Sequence, residues 1–320
     1  GMGSAMLSEH APGGFLQRNK VRDLTSVYPS TTTAALTSLE SGLSPAEHGW
    51  LGWSCYFHEI DRCVDLFSGN QSGVAGGKPA ADVHMASKYM PFENISDKIR
   101  AADPDVRVCR VSPFGEYKAY TCEEVCAAVT RLCGEAGRKL VYAYHFQPDH
   151  DAHDYGCCHE RIKEMLARFD RQVEAMCAQL RGTLVIVTAD HGLTDIKMLC
   201  AQDYPEIWEC LRLPPSVEPR CVSLFVKEPC KPVFRERFLR RFGEKFRLLT
   251  HKEALESGVF GPGTLHQKTK DFIGDYIALA TGDIALCCRD DRGEYNDFAA
   301  SHAGLCAEEM SVPLILIERD

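Results

Sequence analysis

A long amphipathic run followed at once by a short apolar run constrains the fold of this chain more than any other feature. Residues 159–180 carry apolar side chains at helical spacing, and TLVIVTAD from Thr183 predicts a strand suited to a buried central position. Further predicted helices and strands alternate on both sides of this pair. Such alternation is typical of an α/β sheet that helices cover on both faces.

The other predicted elements continue this alternation within one domain, residues 1–320. Residues 1–15 are expected to form a loop and a short helix, with no strand before them, and residues 50–92 to form loops. The segment 205–274 is richer in Arg, Lys and Pro, so it is a possible inserted lobe. We expect helices near 31–41, 94–102, 122–136 and 233–243, and strands near 24–30, 106–111, 139–146, 221–227, 275–280, 284–288 and 312–318.

Net charge, hydropathy and cysteine content indicate which partners and which cellular setting to expect. The 36 basic and 45 acidic residues give a net charge of −9, and no dense basic cluster is present, so nucleic acid is not expected as a structural partner. No apolar run approaches the roughly 20 residues of a membrane span, so no membrane partner is expected. The sixteen cysteines include no C-x-x-C pair, which favours free thiols in a reducing, cytoplasmic setting.

Three segments that each follow a predicted strand concentrate ligands for a metal. PDHDAH places Asp149 and His153 four residues apart, TADHG contributes Asp190 and His191, and SHAG contributes His302. In open α/β sheets, ligand sites lie beyond the ends of the strands. Carboxylate and imidazole together suit Zn²⁺, with Mn²⁺ as a possible substitute, so we expect a metal site there.

Nearby residues offer alternatives to these assignments. His145, His150 and Asp151 lie among the ligands and could compete with them, although His150 adjoins Asp149 and is expected at the surface or in a supporting role. The string PSTT starts the helix predicted at 31–41, where free backbone N–H groups can face an anion. By itself a TTT helix start is equally typical of an ordinary N-cap.

Four motifs taken in order resemble one known family. The strings VYPSTTTAALTSLESGLSPAEHGW, PDHDAH, TADHG and SHAG run from about Ser26 to Glu318 and are similar to the type I phosphodiesterase/nucleotide pyrophosphatase family of the alkaline phosphatase superfamily. The resemblance implies an alkaline-phosphatase-like three-layer α/β/α sandwich with a mostly parallel central sheet. It also implies a small phosphate-ester substrate and two zinc ions, with no organic cofactor.

The same resemblance assigns roles to the site residues. Thr32 would be the nucleophile that forms a phospho-threonine intermediate, with Thr31 and Thr33 as weaker candidates. A coordinated zinc ion lowers the pKa of such a hydroxyl, and two metals can stabilise the attacking and leaving oxygens. The implied ligand sets are Asp149, His153 and His302 for one zinc, and Asp190, His191, Thr32 and one further Asp for the other.

Two positions depart from the family pattern. The further Asp normally ends a first strand, and the opening Gly1-Met2-Gly3 resembles the turn after it, so we expect that strand and its Asp to be missing from this chain. Asp23 is the nearest acidic residue to Thr32, but it follows a basic loop and is a weak replacement. The family also places a phosphoryl-binding Asn where this chain has Trp53, so either another donor serves or the substrate is not a nucleotide.

The leading hypothesis is therefore a zinc-dependent hydrolase of phosphodiester or pyrophosphate bonds. The alternatives are a phosphomonoesterase or phosphonate hydrolase of the same superfamily, or a catalytically silent metal-binding homologue that lacks the first-strand Asp. The sequence identifies neither the leaving group of the substrate nor the oligomeric state of the protein.

Overall fold

Helices and strands alternate along the chain in the computed structural model, which describes residues 1–320. The helices are α1 Ser4–His10, α2 Phe15–Arg18, α3 Thr32–Ser41, α4 Pro45–His48, α5 Met85–Tyr89, α6 Ile95–Ala102, α7 Cys122–Gly134, α8 Asp149–Tyr155, α9 Glu160–Gln179, α10 Pro205–Trp208, α11 Lys231–Phe242, α12 His251–Glu256, α13 Gln267–Phe272 and α14 Ala307–Met310. The strands are β1 Lys20–Thr25, β2 Ser54–Phe57, β3 Arg62–Asp65, β4 Arg107–Val111, β5 Lys139–Ala143, β6 Thr183–Val187, β7 Thr194–Asp195, β8 Lys197–Cys200, β9 Ser216–Glu218, β10 Cys221–Leu224, β11 Phe246–Thr250, β12 Tyr276–Ala280, β13 Ile284–Cys287, β14 Ala300–Ser301 and β15 Ser311–Arg319. This architecture confirms the predicted α/β class.

Local sequence explains two of the helices that position the site. Helix α3 ends at Gly42, whose φ of 74° lies in the left-handed region that glycine adopts without steric cost. Helix α9 buries Ile162, Leu166 and Phe169, which are spaced four and three residues apart and therefore lie on one side of the helix.

Strand pairing divides the chain into one large sheet and several smaller groups. The large sheet has the order β11–β12–β10–β9–β2–β3 and is antiparallel throughout. Strands β1, β15 and β6 form a second antiparallel sheet, and β7 pairs with β14 in the same sense. Parallel pairing joins only β4 with β5 and β8 with β13, less than the mostly parallel sheet that the resemblance implies.

Helix α9 packs on the sheet of β1, β15 and β6. Its apolar side shares a buried cluster with Ile315 of β15, and Val185 and Val187 of β6 pack against the same cluster. The alternate β6 residues Leu184 and Ile186 are 56% and 59% exposed, because side chains alternate between the faces of a strand. The prediction of a buried central strand is therefore wrong for β6, whose only strand neighbour is β15.

Helix α7 packs on the parallel pair β4 and β5. Cys109, Val111 and Leu132 form a fully buried cluster between them. Helix α7 also packs against α9, and α6 contacts both β4 and α3. These contacts bring α3 and the ends of β5 and β6 into one region of the molecule.

The large antiparallel sheet draws on distant parts of the chain. Strands β9, β10 and β11 come from the segment 205–274, whereas β2, β3 and β12 lie outside it. The possible inserted lobe thus shares its sheet with segments on both sides of it. Two separate cores pack on this sheet, one containing Phe57 and Phe272 and the other Phe234, Phe238 and Phe246.

Most predicted elements lie within a few residues of the observed ones, with two exceptions. The strand predicted at 24–30 is observed at Lys20–Thr25, because pairing with β15 selects that register. Residues 50–92 were predicted as loops but contain the β2–β3 hairpin, in which Cys55 and Phe57 are fully buried. All sixteen cysteines are free thiols, as predicted. No helix combines the length and the apolar character that crossing a bilayer requires.

Candidate active site

The predicted ligand segments meet at one site, although they are far apart in the sequence. Helix α3 contributes its first residue, α8 contributes two residues beyond the end of β5, and loops after β6 and β14 contribute the rest. Asp–His contacts of 3.4–3.9 Å and one hydrogen bond connect all six predicted residues: Thr32, Asp149, His153, Asp190, His191 and His302.

Asp149 lies at the centre of this cluster. Because residues four apart share a helix face, α8 brings His153 Nε2 within 3.5 Å of Asp149 Oδ2. Asp149 Oδ1 lies 3.9 Å from Nε2 of both His191 and His302. The donor atoms of Asp149, His191 and His302 all lie within 4.8 Å of one another, although the resemblance assigns His191 to a different metal from the other two.

His191 connects the candidate nucleophile to the ligand cluster. Its Nδ1 donates to the Gly192 carbonyl at 2.9 Å, and since a carbonyl only accepts, this bond places the proton on Nδ1. His191 Nε2 is then free to accept from the Thr32 hydroxyl, 3.0 Å away. The same nitrogen lies 3.4 Å from Asp190 Oδ2.

Strand β14 orients two of the imidazoles. His153 Nδ1 donates to the Ala300 carbonyl at 2.8 Å, which turns its Nε2 toward Asp149. His302 directly follows the same strand, and its ring centroid lies 4.0 Å from that of His191. A backbone acceptor on the outer ring nitrogen is how proteins commonly fix a metal-binding histidine.

Two buried polar atoms of the cluster have no hydrogen-bond partner. They are Asp149 Oδ1 and His302 Nδ1. A buried carboxylate oxygen without a donor carries a large desolvation cost, which a bound cation would offset. Because carboxylate oxygen and imidazole nitrogen are the ligands that Zn²⁺ and Mn²⁺ accept, the residues present fit a metal site.

The charge states of both carboxylates and of two imidazoles in the cluster also suit metal binding, whereas His153 differs: burial disfavours its charged form, but Asp149 outweighs burial and raises the His153 pKa. Burial opposes ionisation of Asp149, yet the hydrogen bond from His153 and the nearby His302 hold the Asp149 pKa well below its usual range. Burial opposes ionisation of Asp190 as well, but His191 and the amino terminus lower its pKa to about 2. Burial lowers the pKa of both His191 and His302. Ionised carboxylates and neutral imidazoles are the forms that bind metal.

The amino terminus also lies at this site, whereas Asp23 does not. The Gly1 amine donates to Asp190 Oδ1 at 2.8 Å. Asp23 Oδ1 instead accepts hydrogen bonds from Ser4 at 2.5 Å and Lys20 at 3.0 Å. Asp23 therefore does not supply the further carboxylate of the second ligand set.

The other candidates in the second motif lie outside the cluster. The side chain of His150 is exposed, in agreement with the surface role expected for it. Asp151 accepts a hydrogen bond from Arg161 Nε at 2.5 Å. The His145 ring packs edge-on against Phe169, with centroids 5.2 Å apart. None of the three competes for the ligand positions.

Sequence reasoning missed Glu218, which lies beside the start of α3. It is 8% exposed, and its Oε1 accepts from Thr31 Oγ1 at 2.6 Å and from the Trp53 backbone N–H at 2.7 Å. Thr31 is the N-cap of α3, but its side chain makes no capping bond. The surrounding sequence SVEPR carries no motif, so only the antiparallel sheet brings Glu218 here.

Trp53 stands where the resemblance implies an Asn. Its side chain is 50% exposed and meets Phe67 edge-on at 6.1 Å. The neighbouring Trp50 and Tyr56 are buried and belong to the core. Trp53 thus offers its backbone N–H to Glu218 while its ring remains accessible.

A second group of possible ligands already contains a cation. His58, Glu59 and Asp271 lie close together near the surface. Lys268 Nζ lies 3.1 Å from Asp271 Oδ2 and also bonds to Glu59. An ammonium group that neutralises both carboxylates makes this group a salt-bridge network, so the cluster around Asp149 is the candidate active site.

The site therefore combines carboxylates and imidazoles beyond strand ends with a threonine at a helix start. The chain belongs to the type I phosphodiesterase/nucleotide pyrophosphatase family, whose sequence model matches residues 15–214. This membership supports a hydrolase of the phosphodiesterase/pyrophosphatase or phosphonate type. No curated protein sequence matches the chain.

Solved structures share the fold at low sequence identity. Murine ectonucleotide pyrophosphatase/phosphodiesterase 5 superposes with a TM-score of 0.70 and 15% identity, covering 98% of this chain and 85% of its own. An inactive form of that murine protein in complex with AMP superposes with a TM-score of 0.68 and 14% identity. The match covers 96% of this chain and 83% of the murine chain. Phosphonoacetate hydrolase from Sinorhizobium meliloti 1021 in complex with phosphonoformate superposes with a TM-score of 0.66 and 19% identity. The match covers 98% of this chain and 85% of the hydrolase chain.

Proposed function

We propose that the protein hydrolyses phosphodiester or pyrophosphate bonds with Thr32 as its nucleophile. The observation that carries this proposal is the 3.0 Å contact between Thr32 Oγ1 and His191 Nε2, within the cluster of metal-type ligands. The threonine hydroxyl gives its proton to water, and its oxygen forms a bond to phosphorus while the bond to the leaving oxygen breaks. The leaving oxygen takes the electron pair and is protonated by water. Water then cleaves the phospho-threonine, which restores the hydroxyl and releases the phosphoryl product.

Helix α3 supports this role for Thr32. Thr32 is the first residue of a ten-residue helix, so the N–H groups of the first turn have no intrahelical acceptor. Their partial positive charge favours phosphoryl oxygens close to the attacking hydroxyl. The helix therefore orients the nucleophile and its substrate together.

Two ligand sets divide the cluster in this proposal. Asp149, His153 and His302 would hold one ion, and Asp190, His191 and Thr32 would hold the other. Zinc is the preferred ion and manganese a substitute, given the carboxylate and imidazole donors. When bound, such ions lower the pKa of a coordinated hydroxyl and stabilise charge on the attacking and leaving oxygens.

Two alternatives rest on specific observations. A phosphonate hydrolase or phosphomonoesterase is supported by the likeness to phosphonoacetate hydrolase and by Trp53, which stands where nucleotide pyrophosphatases place Asn. A silent metal-binding homologue is supported by Asp23, which pairs with Lys20 and does not join the second ligand set.

The test combines zinc content with hydrolysis of two esters. Zinc per chain is measured by elemental analysis after loading and removal of excess metal, and about two ions are expected. Bis(para-nitrophenyl) phosphate and para-nitrophenyl phosphate then compare diester with monoester hydrolysis. Preference for the diester supports the proposal, preference for the monoester favours the first alternative, and no hydrolysis of either favours the silent homologue.

Matched threonine variants test the nucleophile. Thr32→Val removes the hydroxyl at constant shape and should abolish hydrolysis. Thr33→Val is the control, because Thr33 is fully buried and its hydroxyl has no hydrogen-bond partner. Substantial turnover by Thr32→Val would refute the assignment, as would equal losses in the two variants while both keep the wild-type melting temperature.

A further inference from the structure

Glu218 lies beside the candidate nucleophile but takes no part in the ligand cluster. Both hydrogen bonds that it accepts, from Thr31 Oγ1 and from the Trp53 backbone N–H, end on Oε1. Oε2 is left without a protein donor. Since Thr31 directly precedes Thr32, the hydrogen bond to Thr31 places the Glu218 carboxyl against the residue next to the candidate nucleophile.

The backbone around Glu218 is held in an unusual conformation. The preceding residue, Val217, has a φ of 76°, in the left-handed region that β-branched residues rarely adopt. A Cβ on Gly52 would lie 2.5 Å from the Val217 carbonyl oxygen, so the loop before Trp53 approaches this strand more closely than any other residue would allow. Such strain persists only where the surrounding structure imposes it.

Charged groups of the cluster lie within electrostatic reach of this carboxyl. Burial raises the Glu218 pKa to about 7, and the hydrogen bonds from Thr31 and Trp53 only partly oppose that rise. The charge of His153 lowers this pKa and that of Asp149 raises it. At about pH 8.5 the carboxyl is therefore ionised beside the reacting phosphoryl group.

We propose that Glu218 selects substrates by charge, disfavouring dianionic phosphate monoesters relative to monoanionic diesters. This inference rests on the proposed function, because it assumes that the phosphoryl group binds at Thr32. A monoester above its second pKa brings two negative charges toward the carboxylate, and a diester brings one. With the effective dielectric constant of a protein interior, the repulsion from one additional unit charge a few ångströms away changes a rate or a binding constant by about tenfold or more.

The kinetic test is Glu218→Gln at about pH 8.5. Glutamine keeps the size and the oxygen that accepts from Thr31 and Trp53, and removes only the charge. The ratio of kcat/KM for para-nitrophenyl phosphate to that for bis(para-nitrophenyl) phosphate should rise by about tenfold. The matched control is Glu256→Gln at the exposed end of α12, which should leave the ratio unchanged. An unchanged ratio in an active Glu218→Gln enzyme overturns the inference.

A binding test separates this inference from the proposed function. Calorimetry on the zinc-loaded proteins compares inorganic phosphate, mainly a dianion at about pH 8.5, with dimethyl phosphate, a monoanion. Glu218→Gln should bind phosphate about tenfold more tightly and dimethyl phosphate nearly as before. If wild type cleaves neither ester but this shift is present, the proposed function fails and the charge selection stands. The charge selection is overturned if Glu218→Gln changes the affinity for both ligands equally, or if neither protein binds phosphate.

Discussion

His302 carries a buried ring nitrogen for which the protein provides no partner. Its other ring nitrogen faces Asp149, so the side chain is placed for a ligand rather than for the protein. We expect His302→Ala to weaken zinc binding by about tenfold or more, since it removes one donor from the predicted set. Competition against a zinc-binding dye measures the affinity, and His150→Ala is the control because that imidazole is exposed. Unchanged affinity in His302→Ala would remove His302 from the site.

Glu218 also makes stability depend on pH. Burial raises its pKa from 4.5 in the unfolded chain to about 7 in the folded protein, so the folded state binds the proton more tightly. This contribution is complete below about pH 4.5 and is lost as the pH rises through about 7. Relative to wild type, Glu218→Gln should gain roughly 3 kcal/mol in free energy of unfolding between about pH 5 and about pH 8.5.

Urea unfolding of the metal-free proteins at the two pH values measures this gain. Glu256→Gln is again the matched variant, and its difference from wild type should be the same at both pH values. A pH-independent difference for Glu218→Gln would show that its carboxyl does not titrate in this range.

At the scale of elements, one fully buried ion pair fastens the loop of His302 to the large sheet. Arg220 follows β9 and donates to Glu309 of α14 at 2.7 and 2.6 Å, and both side chains are fully buried. Glu309 also accepts from the backbone N–H groups of Gly304 and Cys306, which lie shortly after His302. The pair thus holds the loop that presents this ligand.

Arg220→Met should therefore destabilise the fold and the site together. It leaves the Glu309 charge buried without its partner, which typically costs about 3–5 kcal/mol in free energy of unfolding. We also expect weaker zinc binding, because the loop of His302 loses its anchor. Lys245→Met breaks an exposed pair with Asp283 and should change stability only slightly. If Arg220→Met lost stability but kept its zinc affinity, the ion pair would not be what holds the loop of His302.

Sequence patterns predicted those elements whose signals are local. The 3.6-residue period predicted α9, and positions after predicted strands indicated Asp149, His191 and the other metal-type ligands, whereas only the family resemblance singled out Thr32. The β2–β3 hairpin was missed, because its strands are selected by packing in the large sheet rather than by alternation. Glu218 was missed for the same reason. The exposure of Leu184 on β6 was unpredictable from an apolar run, since only pairing decides which strands are central.

For the whole molecule, the site connects parts of the chain that have little else in common. Its ligands come from four segments between Thr32 and His302, and they lie between α3, α8 and the ends of β6 and β14. Two of their buried polar atoms, Asp149 Oδ1 and His302 Nδ1, have no hydrogen-bond partner in the protein. A cation bound here would interact with every one of these segments at once, and only in the folded chain.

Zinc should therefore stabilise the entire protein rather than one loop. A ligand that binds only the folded state adds about 4 kcal/mol at a free concentration roughly 1,000 times its Kd, which corresponds to a rise of several degrees in Tm. Thermal unfolding with buffered zinc measures this shift, a chelator should reverse it, and His302→Ala should reduce it. A single unfolding transition that moves as a whole is expected, because the ligands span the sequence. Two transitions, of which only one moves with zinc, would mean that the site stabilises only the segments around it.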